Sequence, residues 1–188
     1  MAAVDHHRPK SPSLRLLPFR KEDCDWLVPW ISTREALYTW SGNAVFRHPL
    51  DKKQMRRHLK MTLSKYPGYH YYKAVDFFTG EPAGYGEIAR VNSNRSAFLA
   101  RILIGPEHRG RGLGVELVRG LLEIAFRKFR LHRVELNVFT TNRAAIQCYE
   151  SAGLVREGLL RDVLYTGGEY WSEYRMSILE HEWRRLVL

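Results

Sequence analysis

The run Arg109-Gly110-Arg111-Gly112-Leu113-Gly114 lies between an apolar strand-like run, Phe98 to Ile104, and a helix-like run, Leu113 to Phe129. That placement constrains the chain more than any other stretch. Glycines let a backbone turn tightly and come close to a ligand. The first N–H groups of the helix have no intrahelical partner, and they point back at the turn with the positive end of the helix dipole. Strand, glycine turn and helix start in that order form a cradle for phosphate. Arg109 and Arg111 add positive charge. Two well-known phosphate loops do not fit. The ATPase loop ends in Gly-Lys-Ser/Thr, but Leu113 follows Gly112 here. The dinucleotide fingerprint needs Gly-x-Gly-x-x-Gly, a spacing that Gly110, Gly112 and Gly114 lack. Standing alone, the loop also reads as a plain tight connection.

A chain of 188 residues with 45% hydrophobic content can bury one sizeable core. We expect a single domain over 14–188, preceded by a flexible basic arm over 1–13 that carries His6, His7, Arg8 and Lys10. The arm has no apolar signal-peptide core. No run reaches about 18 uncharged apolar residues, so neither a membrane span nor a membrane partner is expected. Cys24 and Cys148 form no metal or disulfide spacing, which fits a reduced, cytoplasmic setting. No metal site is expected. The net charge of +10 favours anionic partners, whether nucleotide, nucleic acid or acidic surface. The densest cluster, Lys52, Lys53, Arg56, Arg57, His58 and Lys60, spreads around most of one helix and reads as a solvated surface.

Periodicity supplies the elements. Leu14 to Phe19 reads as a strand, and Lys21 to Ser32 as a helix broken at Pro29. Asp51 caps a helix to about Lys65, with Met55, Leu59 and Leu63 as its apolar stripe and Pro67-Gly68 after its end. Tyr69 to Phe78, Gly84 to Val91 and Ala97 to Ile104 alternate as strands joined by tight turns. Leu113 to Phe129 repeats apolar residues at three- and four-residue steps. Arg133 to Phe139 is a strand, and Asn142 to Ala152 a helix that Gly153 stops. Leu154 to Leu164 and Tyr170 to Leu179 pair about Thr166-Gly167-Gly168. The fold class is α/β, an α+β mixed sheet with helices on both faces.

Asn142 and Tyr149 share one face of their helix, two turns and about 10 Å apart, with Ala145 and Ile146 between them. By itself this reads as a capping Asn and a packed Tyr. Together, however, the two stretches resemble the GNAT superfamily of acyl-CoA-dependent N-acyltransferases. The family loop reads Gln/Arg-x-x-Gly-x-Gly/Ala, which Arg109 to Gly114 matches. Its later segment reads Asn-x-x-Ala-x-x-x-Tyr-x-x-x-Gly-Phe/Leu, matched by Asn142, Ala145, Tyr149, Gly153 and Leu154. The resemblance runs from Leu14 to Leu179. It looks strongest to the branch holding ribosomal-protein N-terminal (alanine or serine) acetyltransferases, through Leu14 to Leu17, Leu136 to Asn142 and Tyr174 to Leu179. Trp171-Ser172-Glu173 replaces a Val-Asp pair often found there. That departure places the acceptor region in question.

The resemblance implies a central, mostly antiparallel sheet that splays beside the cofactor strand. It implies acetyl-CoA as co-substrate. Arg109, Gly110, Arg111, Gly112, Leu113 and Gly114 would hold the pyrophosphate. Ile102, Leu103 and Ile104 would offer free backbone to the pantetheine arm, and Asn142 would bind that arm or a water. Tyr149 is the matching general acid, with packing as the alternative. Glu87, flanked by Gly84 and Gly86, is the candidate base, against a solvated strand glutamate. Glu173 and His108 are weaker candidates, and Cys148 is not read as a nucleophile. Trp30, Trp40, Tyr170 and Trp171 are expected at the acceptor pocket, with Trp40-Ser41-Gly42 as a loop. The activity implied is acetyl transfer to a primary amine, either a peptide N-terminus or a small amine. The basic balance disfavours polycations. A non-catalytic acyl-CoA sensor and a ribosome- or RNA-associated module remain alternatives, and a homodimer is implied by resemblance only.

Overall fold

The alternating runs form seven strands in one sheet. They are β1 (Leu14–Pro18), β2 (His70–Asp76), β3 (Pro82–Ala89), β4 (Ser96–Ile104), β5 (Arg133–Phe139), β6 (Val155–Thr166) and β7 (Glu169–Leu179). The computed structural model describes residues 13–65 and 68–188. Pro67 and all of the expected basic arm except Ser13 lie outside them. The strand order is β1-β2-β3-β4-β5-β7-β6. Every neighbouring pair is antiparallel except β4 and β5. The mixed sheet read from sequence is therefore the one observed.

Helices cover both faces. One side carries α1 (Cys24–Leu27), α2 (Arg34–Ser41) and α3 (Lys52–Lys65). Their buried side chains form a cluster with Phe46, Tyr71 and Tyr85. The other side carries α4 (Leu113–Glu123) and α5 (Arg143–Ser151), with the C-terminal α6 (Glu180–Val187). Leu117, Val118, Leu121 and Leu122 of α4 are fully buried there against the sheet. The α4 run continues as a π-helical turn, Ile124–Lys128.

Several local expectations change. Pro29 breaks the first helix, as its missing N–H requires, and the segment becomes a chain of short turns around α1. Trp40 and Ser41 are not loop residues; they end α2, whose Thr33 accepts a capping bond from the Ala36 N–H at 3.1 Å. Asp51 does accept from the Gln54 N–H at 2.7 Å. Leu63, expected on the buried stripe of α3, is 60% exposed, and Thr62 is buried instead. His58, counted with the solvated cluster, turns inward.

Candidate active site

The strands β4 and β5 stay paired only from Ser96 to Phe98, against Arg133 to Glu135. Beyond Phe98 they part, and a cavity of about 840 Å³ lies along the gap. Buried backbone N–H and C=O groups need partners. The edge of β4 that loses β5 therefore offers hydrogen-bonding groups to whatever fills the gap. Ile102, Leu103 and Ile104 line it, as expected from sequence.

The glycine–arginine turn closes one end. Gly110 and Gly112 have φ of 74° and 76°, in the left-handed region that side chains with a Cβ avoid. Added Cβ atoms there would meet nothing, so backbone conformation alone asks for glycine. Gly114 has a different reason: a Cβ would sit 3.1 Å from the Cys148 sulfur. Its absence lets α5 approach the start of α4. Arg109 and Gly114 line the cavity. Arg111 turns aside to His108 Nδ1 at 3.3 Å and Asp76 at 3.8 Å. The Leu113 side chain is buried in the core, leaving its backbone to the turn.

Helix α5 supplies one wall. Asn142 caps it, its Oδ1 accepting from the Ala145 N–H at 3.2 Å, and it also lines the cavity. Tyr149 lines the same cavity and is 9% exposed. Burial raises its phenol above the ordinary value. Ala145 and Cys148 lie on this wall, whereas Ile146 turns into the core. Burial pushes the Cys148 thiol up to about 11, which keeps it neutral and unreactive.

Glu87 does not line the cavity. It is fully buried beneath it. Arg101 grips it through two bonds of 2.6 Å, from Nε and Nη2. The Tyr85 hydroxyl donates to it at 2.7 Å, and His58 Nε2 lies at 3.3 Å. Burial alone would raise its pKa, but Arg101 and His58 hold it down at about 2. Both carboxylate oxygens are bonded to Arg101, which is poor chemistry for accepting a proton near neutrality. The glycines beside it do not admit a ligand either. A Cβ on Gly86 would strike Leu121 of α4 at 2.7 Å, and one on Gly84 would strike the Leu103 carbonyl of β4 at 2.9 Å, so both make room for the protein's own neighbouring elements.

Arg101 itself has a φ of 49° at the irregularity where β4 bulges against β3. Trp40 Nε1 donates to its carbonyl at 2.8 Å. The Glu87 pair and this bond pin the bulge at the edge of the cavity.

Of the glutamates singled out from the sequence, the one that does line the cavity is Glu173, on β7. Asn137 Nδ2 donates to it at 2.9 Å, while Arg175 Nε donates to Asn137 Oδ1 at 2.8 Å. Burial raises the Glu173 pKa, against the pull of Asn137 and Arg175. Asn137 and Arg175 escaped the sequence reading. Only strand alternation together with the β5–β7 register could have brought them beside Glu173. His108, the other weaker candidate, is not on the cavity.

Trp30 and Trp40, expected at an acceptor pocket, line the cavity. Tyr170 and Trp171 do not. Tyr170 is 63% exposed and stacks near Tyr165, with ring centroids 4.8 Å apart. Trp171 donates to Glu169 at 2.8 Å and sets its ring edge-on to Phe139 at 5.2 Å. The late hairpin reaches the cavity two residues further on, through Glu173 and Arg175.

A splayed mixed sheet, a glycine turn at the head of α4 and a buried tyrosine on α5 define an acyltransferase-like architecture. The chain belongs to the Acetyltransferase (GNAT) family, whose model matches residues 30–154. The spermidine N(1)-acetyltransferase of Vibrio cholerae is 32% identical over 100 residues, 53% of this chain and 58% of that protein. The Escherichia coli enzyme of the same name is 30% identical over 104 residues, 55% of this chain and 56% of that protein. The chain thus matches a little over half the length of these curated relatives. Among solved structures, a Vibrio cholerae spermidine N-acetyltransferase in complex with CoA and spermine superposes with a TM-score of 0.80. It is 23% identical and covers 93% of this chain and 99% of that one, a likeness of fold. The comparisons establish the family but do not single out the ribosomal-protein branch. No helix among the described residues is long and apolar enough to cross a membrane.

Proposed function

We propose that residues 14–188 form one acetyl-CoA-dependent N-acetyltransferase acting on a primary amine. The observation that carries this reading is the placement of Tyr149, Glu173 and the unpaired β4 edge on one cavity headed by the glycine turn. Acetyl-CoA supplies an acyl carbon activated as a thioester. Backbone N–H groups of the turn and the Arg109 guanidinium bind its pyrophosphate. The open backbone at Ile102 to Ile104 binds the pantetheine amides, and Asn142 keeps its amide nitrogen for the same arm.

Glu173, rather than Glu87, takes the proton that the acceptor ammonium must lose before its nitrogen can attack. A carboxyl raised by burial is a better proton acceptor than one clamped by arginine. The Tyr149 hydroxyl gives its proton to the departing sulfur. Backbone N–H groups of the open β4 edge stabilise the negative charge that develops on the thioester oxygen. Glu87 acts as a positioning residue that holds Arg101 in place.

The direct test is thiol release from acetyl-CoA with a panel of amines, alongside calorimetric CoA binding. Amine-dependent release that falls in a Glu173→Gln variant supports the reading. Tight CoA binding with no release from any amine would make the chain an acyl-CoA sensor.

A further inference from the structure

Four arginines and two glutamates line the cavity: Arg90, Arg101, Arg109 and Arg175, with Glu35 and Glu173. Three of the arginines are committed. Arg101 is neutralised by Glu87. Arg175 is shared between Asn137 and Glu135, the latter at 3.4 Å. Arg109 stands at the phosphate turn. Arg90 has no carboxylate partner among the described residues. Its guanidinium lies over the Phe98 ring, 5.4 Å from the centroid. Its backbone φ is 56°, an uncommon conformation for a side chain with a Cβ. The Asn92 amide donates to its carbonyl at 3.1 Å and steadies that turn.

Register fixes where this free cation sits. Arg90 follows Ala89, which pairs with Phe98, and Phe98 in turn pairs with Glu135 of β5. It therefore marks the closed vertex of the split. Ile104, at the phosphate end, is six strand residues further on, roughly 20 Å away. Arg90 is too remote to serve the pyrophosphate. Glu173 pairs with Phe139, four residues along β5 from Glu135, so it lies roughly 13 Å along the strands from the level of Arg90 and, with β4 and β5 between β3 and β7, roughly 14 Å across them. The long arginine stem shortens that gap.

We propose that the acceptor is a short amine with a carboxylate at its far end, the nitrogen at Glu173 and the carboxylate on Arg90. This rests on the acetyl-transfer reading above. A polycation would instead place positive charge against an arginine that has no carboxylate partner among the described residues. The spacing suits a dipeptide or an ω-amino acid better than an α-amino acid, whose two groups are adjacent.

The test compares dipeptides and ω-amino acids with their carboxamides, and both with spermidine, in thiol release from acetyl-CoA. The expected result is a kcat/KM at least about tenfold higher for each free acid than for its amide, the scale of one charged hydrogen bond. Spermidine should be poorer than either. Arg90→Asn keeps a residue that tolerates positive φ but removes the charge. It should raise KM for the acids about tenfold with little change in kcat, and Arg90→Lys should recover part of the loss. Equal rates for acid and amide, a preference for spermidine, or an acid-to-amide ratio unchanged in Arg90→Asn would overturn the inference and leave acetyl transfer standing. No release with any amine, spermidine included, would overturn both.

Discussion

Glu87 and Glu173 are the same residue type on strands of one sheet, and their surroundings drive them apart. Glu87 lies between β3, β4 and α3, gripped by Arg101 at 2.6 Å and fully out of water. Glu173 lies on β7 beside the cavity, held by a neutral amide at 2.9 Å. Both are desolvated, which favours the uncharged acid. The guanidinium decides the difference. With it, the carboxyl falls to about 2; without direct contact to one, burial wins and the pKa rises. A buried carboxylate is thus held charged or biased toward its acid form according to its partner, and its strand position does not reveal which.

The largest way to break this contrast is Glu87→Gln. It leaves the Arg101 charge buried and uncompensated, a loss of about 3–5 kcal/mol. At roughly 2–4 °C per kcal/mol for a chain of this size, melting should fall by on the order of 10 °C. The pH dependence checks the cause. The folded carboxyl lies at about 2, below its ordinary 4.5. Its stabilisation is fully present above 4.5 and is lost as pH falls toward 2. Thermal melts of wild type and variant should therefore converge across that acid window. A gap that persists at low pH would mean that Glu87 acts by packing.

Glu173→Gln should do the reverse. Activity falls, by roughly a hundredfold in kcat if the carboxylate is the base. Stability at neutral pH rises slightly, because a raised folded pKa means the charged form is disfavoured in the native state. That native-state advantage of the acid form holds at low pH and fades as pH rises through the folded pKa, so the variant's gain should vanish in acid. A variant that loses both activity and melting temperature would place Glu173 with Glu87, as scaffold.

The two carboxylates also show what could be read in advance. The glycine turn was legible because its conformation resides in backbone: Gly110 and Gly112 need positive φ, and the chain writes that need as glycine. The Asn142–Tyr149 face was legible because helix periodicity fixes which side chains share a wall. The rest of the cavity is assembled from side chains of α2, β4, β5 and β7, segments remote in sequence. Gly84 and Gly86 misled for a related reason. A strand glycine marks a close approach, but it does not say whether the neighbour is a ligand or, as here, the Leu103 carbonyl and Leu121. Helix α2 was missed because its eight residues are too short for a strong period. Tyr170 and Trp171 were placed at the pocket by their hairpin, but Trp171, on the same strand face as Glu173 and Arg175, lies past the end of the cavity that those two line.

Tyr149→Phe is a smaller test. Removing the hydroxyl keeps the buried ring in place, so stability should change by less than about 1.5 kcal/mol. Thiol release should fall by about tenfold or more, at the low end for a positioned acid. Burial raises the phenol above its ordinary value, so it stays protonated, and wild-type activity should persist further into alkaline pH than a free phenol allows. An alkaline limb near the ordinary phenol pKa would assign the proton to another group.

The smallest expected effect refines the comparison from inside the Glu87 cluster. His58 Nε2 is 3.3 Å from the carboxylate, against 2.6 Å for both arginine nitrogens, and Arg101 exerts the larger charge effect. If the guanidinium is what makes Glu87 a scaffold, His58→Gln should cost only about 1 kcal/mol, the worth of one ordinary hydrogen bond. The glutamine amide can donate in its place. The Arg101 bulge should hold, and KM for acetyl-CoA should stay within about twofold of wild type, a change well under 1.4 kcal/mol. A loss as large as that of Glu87→Gln would instead make His58 and Arg101 a coupled pair. The contrast between the two carboxylates would then rest on a three-residue unit spanning α3, β3 and β4, and not on one arginine.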